Sequence, residues 1–325
     1  MAITLLTPTF WIPFLLMATT THAAHQVSQL FQFTYGTSVE NLLPLSNGCL
    51  LLSTIGSGSL YYINPEALYP SAQNVITLPG STALTGMAAL GNGLYAVSGG
   101  VQSSPSCFVE GSMQVYVVSV AADSADTKLV HGVSVPDTCM MDGMAALPKH
   151  PRTVLSADSI GGRILRIDTL NDCVSVAFSD AALGPGNNAT ALGIKGLRIR
   201  GDYLYFTNSA QGIFGRFPID ENGTNTGKVE ILAHPGCRSD EGNSYDDFAF
   251  DDEGNVFVAV HPSSINKITP GGAESTFAGD ESSETFLEPT SVVISNDKKS
   301  LYVSTGGKDT GFPISGGQVV KVQLK

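Results

Sequence analysis

The stretch Gly193–Ser209, GIKGLRIRGDYLYFTNS, decides the fold. Leu197 and Ile199 alternate with arginines, Gly201-Asp202 makes a turn, and Tyr203-Leu204-Tyr205-Phe206 follows, which is the pattern of a β-hairpin. Lys195 is the odd member, a charge behind a glycine at the start of a strand. The stretch is one copy of a repeat. Matching openings occur at Glu40-Asn41-Leu42-Leu43, Thr85-Gly86-Met87-Ala88, Asp142-Gly143-Met144-Ala145, Asp246-Asp247-Phe248-Ala249 and Thr290-Ser291-Val292-Val293. Each is followed by a second strand (CLLLST, GLYAVS, RTVLSA, YLYFTN, NVFVAV, SLYVST) and then a third (SLYYI, QVYVVSV, RILRID, IFGRFPI, INKIT, QVVKVQL). The copies begin about 50 residues apart, a propeller-blade period.

The expected fold is all-β: a six-bladed β-propeller forming one domain over residues 24–325. The last copy ends after its third strand, while Gln29–Thr34 at the opposite end has no partner in its own repeat. That N-terminal strand can complete the last blade and cover its edges. An open β-solenoid would leave it unexplained. In a propeller the first strand of each blade lines the channel, so Glu40, Thr85, Asp142, Lys195, Asp246 and Thr290 should ring one channel mouth. Ser57, Asp158, Asn208, His261 and Lys308 should form the rim, and a pocket at such a mouth is the default binding site.

Composition restricts the partners. Hydrophobic residues are 42% and charged residues 14% of 325, enough for a large core, and the net charge is −12. An acidic chain without a basic run offers no footprint for nucleic acid or an anionic membrane. Residues 1–23 carry a short apolar run, Phe10–Ala18, followed by Thr21-His22-Ala23, which fits a cleaved secretory signal; an uncleaved anchor is the alternative. Sequons at Asn188 and Asn222 agree with that route. Five cysteines leave at least one unpaired, and their spacing makes no zinc site; Cys107 and Cys139 flank an insertion in the second repeat and could pair.

The chain resembles the gluconolactonase/regucalcin (senescence-marker-protein-like) superfamily of six-bladed propellers. The residues that carry the resemblance are Ser156–Ser159 with Gly162–Asp168, Tyr203–Ser209, and Asp246–Phe248 with Asp252–Ala259. The resemblance implies a lactone-hydrolysing site holding a divalent cation, calcium or magnesium, on a Glu, two Asn and an Asp. Glu40 and Asp246 match the Glu and the Asp. The two Asn positions are Met141 and Lys195 here, and Asp142 follows the first of them. Thioether sulfur is a poor ligand for a hard cation, and an ammonium repels it. Glu40, Asp142 and Asp246 remain the set that would hold a metal.

A site without metal is therefore the favoured expectation, with no cofactor required. Glu40, Asp142, Lys195 and Asp246 would serve as acids, bases and donors, and Thr85, Asp158, Asn208, His261 and Thr290 as substrate contacts. The chain also resembles the secreted fungal branch of this superfamily, which includes hetero-Diels–Alderases of secondary metabolism. That resemblance implies cyclisation of an amphipathic small molecule. Metal-dependent lactone hydrolysis and non-catalytic binding are the alternatives. Each site residue also has a plain structural role open to it: strand-end charge, buried ion pair, or turn chemistry at Asp158.

Overall fold

The computed structural model describes residues 25–121, 125–187, 191–234, 244–280, 284–308 and 315–324. The expected signal segment, residues 1–23, and the sequon residue Asn188 lie outside them. Among the described residues the chain is all-β with a propeller-like arrangement of sheets, and its one helical turn is the short 3-10 segment Ala181–Leu183. No helix among them is long and apolar enough to cross a membrane.

The repeats form antiparallel sheets, because each alternating run is followed by a tight turn and a partner strand. Three four-stranded sheets are the repeats that open at Met141–Ala146, Ile194–Arg200 and Tyr245–Phe250. A fourth combines the inner strand Pro289–Ile294, Ser300–Thr305 and Gln318–Gln323 with the N-terminal strand Val27–Gln32. There Val27 pairs with Val322 and Gln32 with Gln318, antiparallel, so the chain start covers the edge of the chain end. The first two repeats are not separate. A single pair, Ile55 with Ala83, joins the inner strand Ala83–Gly91 to Leu50–Ile55, and one eight-stranded sheet results. The sequence pattern could not reveal this merger, since one backbone pair leaves no mark on side-chain alternation.

Packing follows the repeats around a circuit. The six inner strands, Ser38–Pro44, Ala83–Gly91, Met141–Ala146, Ile194–Arg200, Tyr245–Phe250 and Pro289–Ile294, contact one another in that order, and the sixth contacts the first. An apolar cluster fills each seam. Leu147, Leu155 and Ile164 meet Leu197, Leu204 and Phe206 between the third and fourth repeats. Leu42, Leu50 and Leu52 meet Val293, Tyr302 and Val319 where the circuit closes.

Hydroxyl groups tie the seams as well. Ser53 Oγ donates to the Thr85 carbonyl at 2.7 Å, Thr85 Oγ1 to Met141 at 2.8 Å, and Ser159 Oγ to Ile194 at 2.6 Å. Thr207 Oγ1 donates to Asp246 and Thr290 Oγ1 to Val39, both at 2.7 Å. Each bond gives a buried inner-strand carbonyl a partner in the neighbouring repeat.

Cys107 and Cys139 form a disulfide across 32 residues, fastening the second-repeat insertion to the start of the third repeat, as an oxidising compartment permits. Closing a loop of that length contributes roughly 3–4 kcal/mol in the chain-entropy picture. The double variant Cys107→Ala/Cys139→Ala should therefore unfold at a clearly lower denaturant midpoint, with unchanged far-ultraviolet dichroism. An unchanged midpoint would contradict this.

Candidate functional site

All six residues expected at the channel mouth sit at β-bulges. Pairing of the inner strand with its neighbour slips between Val39 and Asn41, Leu84 and Met87, Met141 and Met144, Ile194 and Leu197, Tyr245 and Phe248, and Pro289 and Ser291. Glu40, Thr85, Asp142, Lys195, Asp246 and Thr290 fall in those six gaps. A bulge leaves one or two residues unpaired and re-aims their side chains. Two glycines show why: a Cβ on Gly143 would collide with the Lys195 carbonyl, and one on Gly196 with the Asp247 carboxylate. The glycine behind Lys195 thus lets the fourth and fifth repeats approach closely at the axis.

Four of the six side chains meet. Lys195 Nζ lies 2.7 Å from Asp142 Oδ2, 3.2 Å from Glu40 Oε1 and 3.4 Å from Asp246 Oδ1, and all four residues are buried. Asp142 Oδ2 makes the shortest of these contacts without a well-aligned hydrogen bond. His261 joins from the rim. Its Nε2 is 3.1 Å from Asp246 Oδ2, and its Nδ1 contacts Glu288 Oε2, with 26% of the His261 side chain exposed. The result is a chain of charged groups from the half-exposed Glu288 to the buried cluster.

Burial and charge set the protonation states. Burial pushes the Asp142 carboxyl from 3.8 up to about 8; Lys195 pulls it down, while Glu40 and Asp246 push it further up. Burial likewise raises Glu40, against the pull of Lys195. Burial alone would lower the Lys195 ammonium, but Asp142, Asp246 and Glu40 together hold it well above its ordinary range. Burial also works against the His261 imidazolium, yet its bonds to Asp246 and Glu288 bring it up from 6.5 to about 9. At neutral pH the cluster therefore holds the Lys195 ammonium and the His261 imidazolium, and burial beside Glu40 and Asp246 biases Asp142 toward its protonated form.

The remaining expected residues spend their hydrogen bonds within the fold. Thr85 and Thr290 are the seam ties described above, and their hydroxyls also meet Ser98 and Ser304. Asp158 accepts from Arg163 Nε at 2.7 Å and from the Gly161 amide at 2.9 Å, which is turn chemistry. Asn208 donates to the Ala182 and Gly184 carbonyls and accepts from the Gln211 amide. Ser57 meets Thr54, and Lys308 lies 3.8 Å from Glu284. Asn222, the described sequon residue, is exposed on a loop.

Sequence reasoning missed a second polar layer one step along the channel. Asp247 Oδ2 accepts from Arg198 Nη2 at 2.8 Å and from Asn41 Nδ2 and Ser291 Oγ at 3.1 Å each. It also missed Glu288, whose left-handed backbone (φ 56°) turns it toward His261 and toward a groove of about 320 Å³ shared with Tyr35, Thr37 and Lys308. A non-glycine residue held there is a sign of local strain that the surroundings must support.

Glu40, Asp142 and Asp246 offer oxygens that all lie within 4.8 Å of one another, the donor set that a hard divalent cation accepts. The Lys195 ammonium stands among the same oxygens. With Lys195 so placed the set does not fit a divalent cation.

No family model matches the chain, and no curated protein matches it in sequence. Solved structures do match its fold. A luciferin-regenerating enzyme aligns with TM-score 0.64 and 15% identity, over 92% of this chain and 95% of that one. Regucalcin, a calcium-binding protein from Agrobacterium tumefaciens, aligns with TM-score 0.59 and 13% identity, over 93% and 95%. The PQQ-bound aldose sugar dehydrogenase of Streptomyces coelicolor aligns with TM-score 0.57 and 14% identity, over 93% and 99%. At such identities the likeness is one of fold.

The protonation pattern predicts a pH dependence of stability. Asp142 keeps its proton to about pH 8 when folded against 3.8 ordinarily, and His261 to about 9 against 6.5. Between those values the folded chain binds more protons than the unfolded one, so stability falls as pH rises. The Asp142 contribution is full below about pH 4 and lost through pH 8; that of His261 is full below about 6.5 and lost through 9. The melting temperature should fall steadily from pH 6 to 9.5, and Asp142→Asn should flatten the part below pH 8. A melting temperature that rises over this interval would contradict the assignment.

Proposed function

We propose that this chain is a six-bladed propeller enzyme of the secretory pathway that acts without a metal on an amphipathic small molecule. On this reading residues 1–23 are a cleaved signal, and the eight-stranded sheet counts as two blades of the domain at 24–325. One observation carries it: Lys195 Nζ sits within 3.4 Å of all three carboxylates that would otherwise face a cation. The site then offers Asp142 as a buried, protonated donor, with His261 linking the cluster to the rim. Such groups can polarise a carbonyl oxygen without a Lewis acid. The pocket contributes further by holding two reacting ends in register.

The finer proposal is an intermolecular hetero-Diels–Alder reaction between a tropolone-type quinone methide and a humulene-type alkene. The C=C–C=O unit of the first and the C=C of the second form one C–C and one C–O bond. No atom leaves and no oxidant is consumed. A donor at the quinone methide oxygen makes that unit more electrophilic. Its support is the resemblance to the fungal branch together with a cluster that needs no metal.

A second reading, metal-dependent lactone hydrolysis, draws on the 4.8 Å spacing of the three carboxylates, and requires Lys195 to move away. Purified protein incubated with a quinone methide precursor and a humulene-type alkene should yield adduct faster than the uncatalysed mixture. The excess rate should survive EDTA and drop at least tenfold in Asp142→Asn. No acceleration, or acceleration abolished by EDTA, contradicts the first reading. Calcium-dependent hydrolysis of a sugar lactone would establish the second.

A further inference from the structure

The far end of the channel is built differently from the end that holds Lys195. All six inner strands contribute residues to a cavity of about 430 Å³ there, on the side to which Lys195–Arg200 descends. A strand rises about 3.3 Å per residue, so Arg200 stands roughly 16 Å along the strand from Lys195.

The cavity is both cationic and apolar. Arg198 and Arg200, two apart on one strand, present their side chains to the same face, each over a phenylalanine of the next repeat. The Arg198 guanidinium carbon lies 5.6 Å from the Phe248 ring centre, and that of Arg200 lies 5.1 Å from Phe250. Lys298 lines the same cavity, and Pro44 and Met87 supply apolar wall. In a chain of net charge −12, three cations at one mouth are a local excess.

Their existing partners leave one charge unmatched. Arg198 is neutralised by Asp247, and Lys298 lies 3.2 Å from the exposed Asp252 carboxylate. Arg200 is held instead by two carbonyls: Nη1 donates to Asp251 and Nη2 to Asp252, both at 3.2 Å. The Asp251 carboxylate is turned to the Asn255 amide and side chain. Among the described residues no carboxylate lies within ion-pair distance of Arg200. The carbonyls fix the position of this guanidinium without cancelling its charge, and its remaining N–H groups are available to an anion.

We propose that this mouth is a second binding site, separate from the Lys195 cluster, for an amphipathic monoanion: a carboxylate head on Arg200 and an apolar body against Met87, Pro44 and Phe250. The proposal does not depend on the reaction assigned above. The probe is sodium decanoate, titrated calorimetrically into the full chain, with decanol as the uncharged control. One saturable site is expected, with decanol at least tenfold weaker. Arg200→Gln should weaken decanoate at least tenfold. Ala89→Glu, which adds a carboxylate at an exposed position of the same wall, should do likewise without altering the melting temperature. No saturable decanoate site, equal affinity for decanol, or unchanged decanoate affinity in both variants would overturn it.

Discussion

A single ammonium holds together three carboxyl groups that belong to three different repeats. Glu40, Asp142 and Asp246 come from the first, third and fifth inner strands, and Lys195 from the fourth reaches all of them. At an effective dielectric of about 20, a contact near 4 Å with an ionised carboxylate is worth roughly 4 kcal/mol before desolvation, and burial takes back much of it. Without the ammonium, three like groups would face one another in a buried space. Raising of the Asp142 and Glu40 carboxyls expresses the same conflict, since protonation relieves what one cation cannot neutralise.

Backbone geometry makes the meeting possible. A bulge at the same step of every inner strand turns the critical residue toward the axis. Gly143 and Gly196 then let neighbouring strands come close enough for the side chains to touch. Seam hydroxyls from Ser53, Thr85, Ser159, Thr207 and Thr290 fix those strands against the next repeat. Thr85 and Thr290 thus occupy ring positions but work on the circuit rather than at its centre. The channel is also polarised along its length, with carboxyl groups around one ammonium at one end and arginines over aromatic rings at the other.

The repeat was legible because alternation and turn chemistry recur at a fixed spacing, and register alone placed Lys195 beside Glu40, Asp142 and Asp246. Other features left no periodic trace. Asp247 follows Asp246 directly, and simple alternation would send it away from the axis; the bulge brings both inward. Alternation with Leu197 and Ile199 says nothing of a partner for Arg198, which spans the seam to reach Asp247. Glu288 belongs to no strand, and its approach to His261 depends on a left-handed backbone that sequence does not signal. Asp158 and Asn208 matched the rim by position, yet local turn bonds consume them.

Lys195 is the residue on which the metal-free interpretation stands, and calcium is its most direct probe. Calorimetric titration of the wild-type chain should show no saturable heat from calcium, whereas Lys195→Asn, which replaces the ammonium with an amide oxygen among the same three carboxylates, should bind one calcium ion per chain. Stoichiometric calcium binding by the wild type, lost in Asp246→Asn, would contradict the claim that the ammonium takes the place of a cation.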